Sequence, residues 1–336
     1  MTLLHLIGSA GDGGAETYFL RLTEALAEAG VAQAAALRAH PARDAALAAI
    51  GVPRAHFPFS RFGFATRRGV RLYAETIGAR TLLAWMSRAG GSLPAGPWRR
   101  IGRLGGYYDL RFFRNCDLLV ANTPDIRRYI LAGGWPPERV LHIANFAEVD
   151  DHPALPRAAL DTPEDAPLLL GMGRLHPEKG HDVTLRALAE LPGAWLWLAG
   201  SGPAKAALQR LAAELGVADR VRFLGWREDA GALYRAADLC LFPSRAEPFG
   251  NVVVQCWCYG LPVVASRAIG PAALIHDGED GLLVPLEDPR ALAEATRRLL
   301  ADAPLRARLR EAGLERGAEF AKAPVVARWR EVLEMG

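Results

Sequence analysis

"LCLFPSRAEPFGNVVVQCWCYGLPVVAS", residues 239–266, opens on an apolar run, Leu239 to Phe242, and closes near another at 263–265. Between them lie a loop broken at Pro248 and Gly250 and a helical segment that starts at Gly250 and Asn251 and carries Gln255. Apolar strand, loop, helix and apolar strand in that order predict parallel strands covered on both faces. The same alternation runs along the whole chain. Strands are expected at 3–7, 34–37, 81–84, 118–121 and 140–143, then at 168–172, 195–198, 221–224, 239–242, 263–265 and 282–284. Amphipathic helices such as 15–29, 203–215 and 289–300 separate them. The expected fold is a doubly wound α/β architecture, made twice.

The length of 336 residues also asks for two domains. Residues 147–167, rich in Pro and Asp, read as the linker. They divide the chain into an N-terminal Rossmann-like domain at 1–155 and a C-terminal one at 156–316, facing each other across a cleft. A last helix at about 317–336 is expected to lie back on the first domain.

No apolar run reaches the roughly 18 to 20 residues that span a bilayer. The opening "MTLLHLIG" has no basic residue before its apolar stretch and reads as a strand rather than a signal peptide, so a cytoplasmic location is expected. The four cysteines, Cys116, Cys240, Cys256 and Cys258, are sparse, and the closest two are spaced so that they do not face each other on a helix. They are expected to be reduced.

The net charge of +3 conceals an asymmetry: residues 54–114 hold twelve arginines against two acids, Glu75 and Asp109, so the remainder is acidic. Phe57, Phe59, Phe62, Phe64 and Tyr73 are interleaved with those arginines. Such a mixture suits an anionic membrane surface or a lipid acceptor, with rings at headgroup level and guanidinium groups on phosphates. A solvated arginine-rich face is the competing reading. No nucleic-acid partner is expected.

Ligands of open α/β sheets bind beyond the carboxyl ends of the strands, where helix N-termini offer N–H groups to anions. Three loops hold that position. "GSAGDGGAE", residues 8–16, follows the first strand and places Gly13 and Gly14 at a helix start, but it misses the dinucleotide fingerprint because residue 10 is Ala. "GRLHPEKG", residues 173–180, holds Gly173, Arg174 and Lys179. Only three lysines stand against thirty-seven arginines, so a lysine kept in this loop suggests a compact point charge for a diphosphate. His176 and His181 flank it, and the plainer reading gives them no chemistry. The third loop is the one quoted first: Glu247 is placed to accept from hydroxyls of a polar ligand, and Gln255 can hold a vicinal diol.

The spacing of "GRLHPEKGHD", "LAGSGP", "VRFLGW", "SRAEPFGNVVVQCWCYGLPVVAS" and "GPAALIHDGEDGLLVP", with "GGAE" and "VANT" in the first half, resembles the retaining glycosyltransferases of family 4, whose fold is GT-B. The resemblance implies an acceptor-side first domain and a donor-side second one. It implies that Glu247, at the first position of the family's Glu-x7-Glu, holds donor-sugar hydroxyls and that position 255 meets the ribose. Here that position is Gln255, a neutral amide that accepts a weaker hydrogen bond than a carboxylate. Arg174 and Lys179 match the diphosphate pair, Gly13 and Gly14 the first-domain glycine loop, and Trp226 with Arg227 the place where the base stacks. Phe249, Gly250, Asn251 and Val252 complete the donor loop. A second departure lies in "TLLAWMSRAGG", where the family often has a histidine and this chain has Trp85, Ser87 and Arg88, which are read as acceptor contacts.

The implied function is transfer of a sugar from a nucleoside diphosphate sugar, UDP or GDP, to a glycan or lipid-linked acceptor in cell-envelope polysaccharide or lipopolysaccharide synthesis. Arg174, Lys179 and the helix start at Gly250 would stabilise the leaving diphosphate. No Asp-x-Asp pair follows a suitable strand, so neither a metal nor a cofactor is expected. A sugar-nucleotide epimerase of the same fold and a non-catalytic sugar-nucleotide binding protein stay open, the second because of Gln255 and the absent histidine. A protein attached to the inner face of the cytoplasmic membrane would suit the basic aromatic stretch.

Overall fold

The computed structural model describes residues 2–11, 13–60 and 63–334. It divides into two compact units, residues 1–145 with 322–336, and residues 146–321.

The first unit is built on a seven-stranded sheet: β1 (Thr2–Ile7), β2 (Gln33–Leu37), β3 (Arg54–His56), β4 (Ala79–Trp85), β5 (Arg99–Leu104), β6 (Leu118–Ala121) and β7 (Val140–His142), in the order β3-β2-β1-β4-β5-β6-β7. The second holds six strands: β8 (Leu168–Met172), β9 (Trp195–Ala199), β10 (Val221–Gly225), β11 (Leu239–Phe242), β12 (Val263–Ser266) and β13 (Leu282–Val284), in the order β10-β9-β8-β11-β12-β13. Every strand pair is parallel. Both sheets are those of the GT-B fold. The central strands β1, β8 and β11 are almost wholly buried because helices cover both of their faces, which is why their sequences run apolar without alternation.

Two strands do not announce themselves in sequence. β3 is a three-residue edge strand, "RAH", too short and polar to read. β5, "RRIGRL", carries three arginines, yet its second half is buried. Arg103 enters the interior between aromatic rings, and that packing overrides the polar pattern.

The chain passes between units at 145/146, not at 155. The Pro- and Asp-rich stretch belongs to the second unit because it is tied there by side chains. Arg157 donates to Ala236 O at 2.9 Å and pairs with Asp238 at 3.0 Å. Trp197 Nε1 donates to the Thr162 hydroxyl at 3.0 Å.

The last helix starts at Lys322, later than the expected 317, since helix Ala303–Ala318 ends just before it. Its apolar face, Val325, Val326, Trp329, Val332 and Leu333, is buried, and it packs on helix Gly14–Glu28 of the first unit. Lys322 Nζ lies 2.5 Å from Glu28 at one end, and Arg99 donates to the carbonyl of Val332 at the other. The first unit thus includes a segment that returns from far along the sequence.

The basic aromatic stretch divides. Phe59 is buried in the first unit's core, and Phe57 and Tyr73 pack on that core with ring centroids 6.2 Å apart. Phe64, at 75% exposure, stays in solvent on helix Phe64–Thr76. Arg61 and Phe62 lie outside the described residues. No helix among the described residues is long and apolar enough to cross a membrane.

Trp329 is fully buried, so Trp329→Ala should cost about 3 to 5 kcal/mol in urea unfolding of the first unit. An unchanged midpoint would show that the last helix does not hold that unit together.

Candidate functional site

In the second unit, β8 and β11 are neighbours, with Leu239 beside Leu169 and Cys240 beside Leu170. Their carboxyl ends therefore release two loops side by side, 173–180 and 243–250. The order reverses between these strands, so their crossovers leave in opposite directions and open a crevice. Lys179 on the first loop and Glu247 on the second meet there, with Nζ 2.6 Å from Oε2. Both side chains are mostly buried.

Three features fix this meeting. Arg245 N–H donates to Glu178 O at 2.7 Å, and its guanidinium makes a bidentate pair with Asp182, at 2.7 and 2.8 Å, and reaches Glu287 at 2.8 Å. Those two carboxylates hold the Arg245 pKa far above its ordinary value. Gly250, at φ 107°, takes a left-handed turn closed to ordinary side chains and starts helix Asn251–Cys258. Its N–H donates to Glu247 Oε1 at 3.2 Å, so both carboxylate oxygens are engaged. Gly200 lets the next loop cross the first: a Cβ there would sit 1.9 Å from Gly173 O. Arg245 has little signal in sequence beyond its place, a charged residue two positions before Glu247 in a strand-end loop.

Arg174 is exposed on the first loop. Phe249 is buried, with its ring centroid 6.2 Å from that of Phe320, and anchors the second loop. Asn251 and Val252, half-buried, form the first turn of the helix, whose positive end faces the crevice. Gln255, one turn on, accepts from the Tyr234 hydroxyl at 2.8 Å. Tyr234 in turn stacks on Tyr259 at 5.0 Å and 7°. Sequence reading missed Tyr234, which sits in an apolar helical pattern like any core aromatic. After β10, Trp226 is 70% exposed, and Arg227 is held by Asp229 at 2.5 and 2.7 Å, which raises its pKa.

The histidines of this loop part ways. His176 caps the short turn Pro177–Lys179, its ring accepting from Glu178 N–H. His181 is buried at the start of helix His181–Ala189, and burial, helped by the nearby Lys179 charge, pushes its pKa down to about 4.

In the first unit Gly13 caps helix Gly14–Glu28 with extended backbone. Asp12 lies outside the described residues. The carbonyls before it are turned toward arginines: Arg43 donates to Ser9 O at 3.1 Å and to Gly11 O at 2.8 Å, and Arg88 to Gly8 O at 3.2 Å. Ser87 is half-buried beside Arg88. Trp85 corrects its expected role. It is fully buried as a packing residue of the interior: its indole N–H donates to His5 Nδ1 at 3.2 Å and its face covers Arg103 at 4.7 Å, which leaves it no exposed surface for an acceptor. His5, inside β1, and Arg103, near the end of β5, are both buried and escape sequence reading because they stand inside apolar or basic runs.

Comparison with known proteins agrees with this geometry. Residues 166–302 match the family model "Glycosyl transferases group 1". The chain is 40% identical over 318 residues to the lipopolysaccharide core biosynthesis glycosyltransferase LpsE of Rhizobium meliloti, covering 90% of each chain. It is 38% identical over 326 residues to LpsD of the same organism, covering 94% of this chain and 92% of that one. The chain belongs to the group 1, family 4 glycosyltransferases. Members of this family transfer hexosyl groups with retention and without a metal. Among solved structures, HepE of Anabaena in complex with UDP superposes with a TM-score of 0.89 over the full length of both chains at 22% identity. WaaG, a glycosyltransferase involved in lipopolysaccharide biosynthesis, gives 0.76 at 19%, again over both full lengths. At those identities the likeness is one of fold.

His181 carries a pH signature. Unfolded, it takes a proton near pH 6.5; folded, it stays neutral to about 4, so the unfolded state binds more protons between these values. Stability should fall as pH drops through that window, by about 1.4 kcal/mol per unit from this group. His181→Leu should flatten the slope in denaturant titrations at pH 7, 6 and 5; an unaltered slope would place the titrating group elsewhere.

Proposed function

We propose that this enzyme transfers a sugar from a UDP-sugar to an acceptor of the lipopolysaccharide core, at the cytoplasmic face of the membrane. The observation that carries the reading is the Lys179–Glu247 contact at the start of helix Asn251–Cys258, in a chain 40% identical to a lipopolysaccharide core glycosyltransferase. UDP is favoured as the carrier because a chain of the same fold over its whole length was solved with UDP-glucose.

In this reading residues 146–321 take the donor and the first unit takes the acceptor. Lys179 and Arg174 meet the diphosphate, and Lys179 is shared between it and Glu247. Charge gathers on the diphosphate as the anomeric C–O bond breaks, and the two cations with the helix N-terminus are oriented for it before reaction begins. Glu247 accepts from sugar hydroxyls. The acceptor oxygen bonds to the anomeric carbon on the face the diphosphate leaves, and its proton passes to a departing phosphate oxygen, which gives retention. Gly13 and Gly14 are read as donor contacts. Phe249, Gly250, Asn251 and Val252 shape the pocket wall, and Trp226 with Arg227 lies against the base.

Gln255 meets the ribose. Its Oε1 already accepts from Tyr234, so its amide N–H groups are what it presents to the diol. A carboxylate at that place would offer a second oxygen and a stronger, charge-assisted acceptor. Arg88 and Ser87 stay on the acceptor side. Phe64 and Leu72, exposed on the arginine-rich helix Phe64–Thr76, provide peripheral contact with anionic lipid.

Calorimetric titration with UDP, GDP, ADP and NAD tests the reading. UDP should bind best, Lys179→Ala should weaken it about tenfold or more, and Gln255→Glu should tighten it. Binding of NAD alone, or of no nucleotide, would end the transferase reading.

Lipid contact has its own test. Phe64→Ser with Leu72→Ser should reduce co-sedimentation with vesicles of anionic phospholipid and leave UDP affinity unchanged. Equal sedimentation would remove this face from the membrane.

A further inference from the structure

At the carboxyl end of β5 the first unit buries a cation that the proposed reaction does not use. Arg103 is 2% exposed. Its guanidinium lies between the rings of Tyr18, at 4.6 Å, and Trp85, at 4.7 Å, and it donates to Asn145 Oδ1. No described carboxylate pairs with it, and its Nε–H has no partner. Burying a charge without a counter-charge is costly, and two aromatic faces offset only part of the cost.

The turn that follows is open where it meets this cation. Gly105 does not have the left-handed backbone that would demand glycine, so the reason for glycine there is space. A Cβ on Gly105 would stand 3.1 Å from Arg103 Nη1 and 3.8 Å from Asn122 Nδ2. Asn122, in the "VANT" stretch after β6, is 3% exposed, and its Oδ1 is also without a partner. Two buried N–H-bearing groups thus border one small space beside bare backbone.

We infer that Arg103, Asn122 and the glycine turn at Gly105 form an oxyanion site for a phosphate or carboxylate oxygen of a substrate. Calling the ligand a substrate rests on the transferase reading above. An oxyanion would supply the missing counter-charge and accept from both side chains. It has two sources: an anionic group on the acceptor, or the diphosphate of the donor.

Asn122→Asp separates this site from a structural role. A carboxylate beside the guanidinium provides the counter-charge internally, so the fold should keep or raise its thermal midpoint while the site is closed to an external anion. A rise of about tenfold in acceptor KM, with UDP affinity unchanged, assigns the site to the acceptor. Weaker UDP binding with acceptor KM unchanged assigns it to the donor. If neither moves, the proposal is overturned. Gly105→Ala, which fills the space with a methyl group and leaves both side chains in place, should act in the same direction and serves if the Asp variant does not fold. Should the unmodified protein transfer no sugar, titration with inorganic phosphate and with acetate at fixed ionic strength still decides. Binding that Asn122→Asp removes keeps the oxyanion site and ends the transferase reading, whereas no binding ends the site as well.

Discussion

The contact between Lys179 and Glu247 depends on one topological fact, that β8 and β11 lie side by side although sixty-odd residues separate them (~100 Å even as helix). Two loops that leave adjacent parallel strands at the same end meet with little freedom. Arg245 removes what freedom is left, bonding through its backbone to Glu178 and through its side chain to Asp182 and Glu287. An ion pair placed in this way draws on the rigidity of the sheet rather than on the loops, which is what an electrostatic site needs in order to face charge without reorganising. The helix that starts at Gly250 adds its positive end at the same point.

The two units hold the cations around their strand-end loops differently. In the second, cations are matched by carboxylates: Lys179 by Glu247, Arg245 by Asp182 and Glu287, Arg227 by Asp229. In the first, whose residues 54–114 are rich in arginine and poor in acid, the chain relies on carbonyls and rings. Arg43 and Arg88 bond the backbone of the β1 loop, Arg67 donates to Gly91 O, and Arg103 lies between Tyr18 and Trp85. Guanidinium suits both tasks, being planar, weakly hydrated and rich in donors. The preference for arginine over lysine therefore has a structural use, and the exceptional Lys179 stands out against it.

Much of the fold was legible because buried parallel strands leave a local mark. β8, β11 and β12 are continuous apolar runs between glycine- or proline-bearing loops, and such runs need no partner to be recognised. β5 was not legible. Its arginines point to solvent in any local reading, and only the arrival of Trp85 from β4 and Tyr18 from the first helix makes Arg103 an interior residue. Trp85 itself was misread for the same reason, since its position at a strand end is visible in sequence and its burial is not. The donor loops were legible through glycine and charge spacing, but Tyr234 was hidden, because a tyrosine on a helix says nothing of which amide its hydroxyl will meet.

The sequence alone determined the class of fold, the place of the glycine-bounded loops and, through residues 173–180 and 239–266, the family. These are properties of short windows, set by periodicity, backbone conformation and residue type. Tertiary structure decided the rest: where the chain crosses between units, which unit owns the last helix, and which arginines face acids, carbonyls or rings. Those outcomes depend on contacts between residues far apart in the chain, and the desolvation of a side chain is a property of its surroundings, which no local window contains.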